Sequence, residues 1–242
     1  MKIRLFSAGK KGVIPIRVLR ILKKGIHNKC GFIFIFISIF IFISAFSLTV
    51  IGEEIIARGE TEGLWADSIS TSLVEGSVSE VVAEGSSLMV YDNYNIEADF
   101  INYNMQTDDI IIRGSVFFDN SEYHLYTEEI RGNLLEQEFE ATGDVRLEGE
   151  QLDVSSESLF IQEQNQTMTF TGNVVFKYNE IEAVADTVRY NSESQVVLLE
   201  GNVKGQHGDL RLSGEQMEIN LINEKMKLLG KAELLFSNEG EQ

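Results

Sequence analysis

The chain has 242 residues, with 38 acidic against 20 basic side chains, a formal net charge of −18 and one cysteine, Cys30. A disulfide within the chain is therefore excluded, and the acidic balance argues against nucleic acid as a partner, because phosphates require Lys and Arg. This length predicts one folded domain of about 190 residues behind a targeting region.

The N-terminal part differs sharply from the rest in charge. Residues 1–30 contain nine basic and no acidic side chains, whereas all 38 acidic residues and the other 11 basic residues follow. Between the two parts lies the uncharged run GFIFIFISIFIFISAFSLTVIG, residues 31–52, which is long enough to span a bilayer as a helix. A basic flank before this run and an acidic flank after it predict a cytoplasmic N-terminus and an exported domain.

The apolar run also fits a secretory signal. Ala45 and Ser47 supply the small residues that a signal peptidase requires. The predicted organisation is a basic cytoplasmic segment (1–30), a transmembrane helix or signal-peptide core (31–52) and an exported domain (53–242). The domain is either anchored in the inner membrane by residues 31–52 or released from it.

A period of 29 residues runs through the exported domain. It is marked by glycines at Gly85, Gly114, Gly143, Gly172, Gly201 and Gly230. Apolar residues alternate with period two on both sides of these glycines, which is typical of a strand with one buried face. The predicted inward positions include Ile112, Val116, Phe118, Phe139, Val145, Phe170, Val174, Phe176, Leu199 and Val203. The alternation keeps its parity through each glycine, so the glycine is expected to point inward and to let the strand bend.

The second half of each repeat contains an acidic residue after a small one. These acids are Asp99, Glu128, Glu157, Asp186 and Glu215. The apolar parity switches across each acid, which predicts a bulge or corner. Polar segments such as EQNQ and NSES connect the strands and predict solvated turns. Residues 64–85 echo these features out of register and are interpreted as a degenerate first repeat.

The expected fold is therefore all-β: a two-sheet stack of bent antiparallel strands, open at both ends and preceded by one hydrophobic helix. The acids have two interpretations, a Ca²⁺ site or acceptors for backbone N–H groups freed at the corner, and we favour the second. No cofactor, metal or catalysis is expected. His124 and His207, the only histidines after the apolar run, occupy polar positions that indicate a solvated face.

The motifs ADFINY (98–103) and ADTVRY (185–190) alternate with FTGNV and LEGNV behind an export segment. Over roughly residues 56–236 this alternation resembles the LptA/OstA-like family of periplasmic lipopolysaccharide-transport proteins. The resemblance implies a twisted β-jellyroll that shields acyl chains and stacks with relatives into a bridge between the two membranes. It implies as partners lipopolysaccharide or a related lipid, other Lpt-type jellyroll proteins and an inner-membrane ABC transporter complex. A retained apolar segment would make the topology similar to that of LptC.

Two functional hypotheses follow. In the first, the inward residues hold acyl chains, because each methylene removed from water contributes about 0.8 kcal/mol. The last predicted strand leaves an edge for head-to-tail association. That edge contains Lys225, Lys227, Leu229, Lys231 and Leu235. In the second hypothesis the protein is a structural β-filament or scaffold with a filled interior.

Overall fold

The computed structural model describes residues 63–91, 94–119 and 123–236, and every element in these ranges is a strand or a turn. The all-β prediction is confirmed. Within the described ranges no helix has the length and apolar character needed to cross a membrane. The predicted apolar helix at 31–52 lies outside the described residues.

The strands are long and follow one another closely along the chain. In chain order they are β1 (Gly63–Trp65), β2 (Ser68–Val74), β3 (Ser77–Tyr91), β4 (Tyr94–Asn104), β5 (Asp109–Asp119), β6 (Tyr123–Asn133), β7 (Glu138–Gly149), β8 (Leu152–Gln162), β9 (Thr167–Tyr178), β10 (Ile181–Asn191), β11 (Val196–His207), β12 (Leu210–Asn220), β13 (Lys225–Leu229) and β14 (Glu233–Phe236).

All of these strands form one antiparallel sheet in which chain neighbours pair from β3 to β12. At one end β1 and β2 both pair with β3, and at the other end β13 and β14 both pair with β12. β1 and β2 together therefore correspond to one bent strand that is interrupted at its corner, and so do β13 and β14. The repeat thus extends to both edges of the sheet.

Every long strand bends near its middle, where the register of pairing shifts. Between β5 and β6, for example, Arg113 pairs with Glu129, but the next pair is Val116 with Thr127. The bends divide the sheet into two halves. We call half A the strand segments joined by short turns such as 179–180, and half B those joined by four-residue turns such as 163–166.

The two halves must face each other. The buried apolar residues form one contiguous cluster that takes members from both halves, such as Ile112 in half B and Phe118 in half A. Since the described residues contain no helix and no second sheet, only the opposite half can cover this face. The prediction of two facing layers of bent strands is confirmed.

Candidate functional site: the buried face and its ends

The predicted inward residues all lie on the buried face. Phe118, Phe139, Phe170 and Phe176 are 2% exposed, and Val174 and Leu199 are fully buried. The remaining members Ile112, Val116, Val145 and Val203 are 1% exposed. The protein's own side chains therefore fill the centre of this face. An apolar chain can reach these residues only if the two halves move apart or if it enters from an end.

At both ends of the sheet the apolar face emerges into solvent. On β14, Leu234 pairs with the buried Leu212 but is itself 50% exposed, and Phe236 is 70% exposed. On β2, Ile69 pairs with the fully buried Ala83 but is 44% exposed. The buried face thus continues past the filled core on β2 and β14.

The predicted association edge lies on these terminal strands. Lys225, Lys227 and Leu229 belong to β13 and Leu235 belongs to β14, while Lys231 lies in the corner between them. Lys231 also forms a 3.2 Å ion pair with Glu215. In the described part of the chain, no strand pairs with the outer edges of β13 and β14 or of β2. These edges can accept a further strand.

The corners are built from the predicted glycines and acids, but in a different geometry from the one expected. The glycines have positive φ, +80° at Gly114 and +86° at Gly172. A Cβ on Gly114 would lie 2.3 Å from a carboxylate oxygen of Asp99, whose side chain is exposed. The prediction that the glycines point into the core is therefore wrong. With positive φ, the direction in which a Cβ would project leads to the acid on the neighbouring strand. The other glycine and acid pairs are Gly143 with Glu128, Gly172 with Glu157, Gly201 with Asp186 and Gly230 with Glu215.

Two of the acids receive a hydrogen bond from the side chain of the residue that follows the glycine. Asn173 Nδ2 donates to Glu157 Oε1 at 2.7 Å, and Asn202 Nδ2 donates to Asp186 Oδ2 at 2.8 Å. Successive acids stand on alternate strands, which places them about 10 Å apart, too far to share one ion. This spacing favours the corner role over the Ca²⁺ site.

Asp67 is a sixth member of this ladder that the repeat spacing did not identify. Its carboxylate would lie 2.3 Å from a Cβ on Gly85. It precedes its glycine by 18 positions, whereas the other acids precede theirs by 15, because residues of the β2–β3 hairpin are inserted between them. The interpretation of this region as a variant first repeat is consistent with the position of Asp67.

One buried carboxyl group lies in a segment that was predicted to be a solvated turn. Glu163, the first residue of the β8–β9 turn, is 5% exposed. Its Oε1 atom has no hydrogen-bond partner, and burial raises the pKa of the carboxyl group to about 8. The repeat contains a sign that Glu163 is buried, because the residues at the equivalent position, Leu134 and Leu221, are apolar.

A cavity of about 520 Å³ lies on the opposite face of half A, between β9 and β14. Its lining includes the exposed side chains of Val175, Val184 and Leu235 together with Lys204 and Arg211. It contains none of the predicted lipid-contacting residues. The lining also includes Ala183 and Leu212, which belong to the buried core cluster.

The two histidines lie on partly exposed positions. The Nδ1 atom of His124 is 3.0 Å from a carboxylate oxygen of Asp119, and its ring stacks on Phe117 with centroids 5.8 Å apart. His207 Nε2 is 3.9 Å from a carboxylate oxygen of Glu180. Both imidazoles are 41% exposed, as expected for side chains on a solvated face.

Comparison with known proteins gives one family match and a structural neighbour. A family model described as lipopolysaccharide-assembly, LptC-related, matches residues 93–235. The crystal structure of LptH, the LptA-homologous periplasmic component of the lipopolysaccharide transport device of Pseudomonas aeruginosa, is 10% identical, with a TM-score of 0.45. The similarity covers 48% of this chain and 94% of that chain. No curated protein matches the chain.

Proposed function

Because the chain belongs to the LptC-related family of lipopolysaccharide-assembly proteins, we propose that it holds lipopolysaccharide acyl chains against its apolar face during transport between membranes. The resemblance predicted from the alternating motifs is confirmed at the level of the family. In this proposal the domain lies in the periplasm and the segment 31–52 anchors it in the inner membrane. The role is one of binding and transfer, and it requires no catalytic group.

One observation carries the proposal: the apolar face continues from strand to strand and emerges exposed at both ends. Ile69 on β2 and Leu234 on β14 are inward positions that remain about half exposed. A continuous apolar path with accessible ends suits a ligand that enters at one edge of the sheet and leaves at the other. A domain that only needed a core would gain stability by covering these side chains.

The energetics permit an acyl chain to replace contacts between the two halves. Burial of a methylene contributes about 0.8 kcal/mol, so a chain of about a dozen methylenes gains roughly 10 kcal/mol. This gain is of the same order as the whole free energy of unfolding of a typical domain, about 5–15 kcal/mol. Local separation of half A from half B can therefore be offset by bound lipid without any specific polar contact.

The free edges supply the route to the next protein in the assembly. An added strand on β13 and β14, or on β2, would extend the sheet through main-chain hydrogen bonds and continue the apolar face across the junction. We propose head-to-tail association of this kind with a second copy or with other Lpt-type jellyroll proteins. An inner-membrane ABC transporter complex is the proposed source of energy.

Photocrosslinking tests the binding proposal. Photoreactive residues replace Phe118, Phe170 or Phe176 on the buried face, and Phe160, a phenylalanine on the outer face that is 36% exposed, is the matched control. Labelled lipopolysaccharide should be captured at the three inner positions and not at Phe160. Equal capture at all four positions, or at none, would contradict the proposal.

A second candidate function, a structural scaffold with a permanently filled core, is favoured by the 0–2% exposure of the inward residues. It predicts oligomers that form without lipid and inner probes that remain unlabelled while those oligomers are present. The same crosslinking experiment therefore separates the two candidates.

Anchoring is tested by sequencing the N-terminus of the exported protein. An intact N-terminus supports the anchored form, and a chain that begins near residue 48 indicates a cleaved signal and a released domain. Neither result depends on whether lipid binds.

A further inference from the structure

The first residue of each four-residue turn in half B occupies the same backbone position. In every case its N–H group donates to the carbonyl of the residue 26 positions earlier, at 2.8–3.1 Å. These five residues are Met105, Leu134, Glu163, Ser192 and Leu221. Met105, Leu134 and Leu221 pack against the core cluster, so this position directs its side chain toward the interior between the two halves. We call this set the turn row.

The turn row is interrupted by polar groups at two consecutive repeats. Glu163 and Ser192 are each only 5% exposed. Both are more deeply buried than the apolar members of the row, which are partly exposed. The Ser192 hydroxyl donates to Gln166 Oε1 at 3.4 Å. Glu163 Oε1 has no hydrogen-bond partner and no ion pair among the described residues. A buried polar atom left in this way is unfavourable, and a leucine would avoid the penalty.

We propose that the Glu163 carboxyl group is a hydrogen-bonding subsite for a hydroxyl or amide group carried on an otherwise apolar acyl chain. The inference rests on the proposed function, because it assumes that acyl chains enter between the two halves. A carboxylic acid in its neutral form both donates and accepts, so it can pair with either group. Burial raises the pKa to about 8, which keeps the group neutral at pH 7.

This subsite would discriminate between chains that differ only in one polar group. A plain hydrocarbon chain beside Glu163 leaves the carboxyl oxygen unpaired, whereas a chain with a hydroxyl at that depth supplies the missing partner. One hydrogen bond gained in a dry environment corresponds to a preference of about tenfold. Leu134 and Leu221, which lie before and after the polar pair in the row, offer only apolar contact to the rest of the chain.

The experiment uses the full chain in nonionic detergent and native mass spectrometry. The probes are 3-hydroxytetradecanoic acid and tetradecanoic acid, which share the same head group and chain length. The wild-type protein should bind the hydroxylated probe about tenfold more tightly. Glu163→Leu, which restores the residue of the neighbouring repeat, should bring the ratio near one without weakening the plain chain. Glu163→Gln, which keeps a neutral donor and acceptor, should retain a preference.

Glu136→Leu is the matched control, because Glu136 is an exposed acid in the preceding turn of the same type. It should leave the ratio unchanged. Equal binding of the two probes by the wild-type protein, or an unchanged ratio in Glu163→Leu, would overturn the subsite while leaving the proposed function intact. Binding of neither probe would overturn the proposed function and the subsite with it. Far-UV circular dichroism checks that each variant folds. If the leucine variant does not fold, Glu163→Met, which introduces the residue found at the Met105 position of the row, takes its place and should also bring the ratio near one.

Discussion

The titration of Glu163 makes the stability of the domain depend on pH in a direction opposite to that of most carboxyl groups. Its pKa is 4.5 when the chain is unfolded and about 8 in the folded protein, because burial disfavours the charged form. Between these values the folded state holds one more proton than the unfolded state. The free energy of unfolding therefore falls as the pH rises, by up to about 1.4 kcal/mol per pH unit.

Replacement of Glu163 by Gln removes this titration and keeps the size of the side chain. The variant and the wild type should have similar stability near pH 4.5, and the variant should be more stable by about 3 kcal/mol at pH 7. The contribution of Glu163 is fully present below pH 4.5 and is lost by about pH 8, since the folded pKa lies above the unfolded one. Other titrating groups cancel in the difference between the two proteins.

Urea unfolding of the full chain in nonionic detergent, followed by far-UV circular dichroism at pH 5, 6, 7 and 8, measures this difference. Glu136→Gln, a change at an exposed turn acid, provides the baseline and should give a curve parallel to the wild type. If Glu163→Gln also ran parallel to the wild type over this range, the carboxyl group would be ionised in the folded protein. Burial would then not be sufficient to keep the carboxyl group neutral.

Three further changes probe the corners, the core and the edge. Gly172→Ala should destabilise the protein by about 1–3 kcal/mol more than Gly76→Ala. Both glycines have positive φ, but only at Gly172 would the new Cβ meet a carboxylate, at 2.5 Å. Equal losses of stability in urea unfolding would show that this contact with Glu157 costs nothing. Phe139→Ala should cost about 3–5 kcal/mol, since the ring is 2% exposed, and a loss below about 1 kcal/mol would show that the two halves are loosely packed. Leu235→Pro should shift head-to-tail oligomers to monomers in sedimentation velocity, because proline blocks strand addition at an edge; unchanged oligomers would place the interface elsewhere.

Much of the architecture was predictable from the sequence because its bends require particular residues. A strand that turns through positive φ needs glycine at that point, and a shift of pairing register reverses which side chains are buried. Gly114, Gly172 and the parity switch at Asp99 were therefore visible as a 29-residue period. The contact between acid and glycine was not predictable, since it depends on which strand lies beside which. Asp67 was not identified for this reason. Its separation from Gly85 along the chain differs from that of the other pairs, but it occupies the same place on the sheet.

The occupancy of the interior also could not be predicted. Alternation identifies Phe118 and Phe176 as inward residues, but it does not give the distance between the two halves. Whether opposing side chains leave a channel or fill it depends on that distance, and the 2% exposure of both rings shows that they fill it. The sequence pattern indicates which residues an entering chain would meet. The structure adds that such a chain must enter from an end or move the two halves apart.

The repeat explains why the burial of Glu163 was not predicted and why its turn keeps the same backbone position as the other turns. EQNQ has the composition of a solvated turn, and composition alone predicts that its glutamate points outward. The backbone of this turn, however, is fixed by the hydrogen bond from Glu163 N–H to the Gln137 carbonyl at 3.1 Å, which has an equivalent in every other turn of the row. Rotation of the turn outward would break that bond and disturb the stacking of the turns on either side. The turn is thus held in place by the same hydrogen bond as its neighbours, and the carboxyl oxygen is left without a partner that a molecule entering between the two halves can supply.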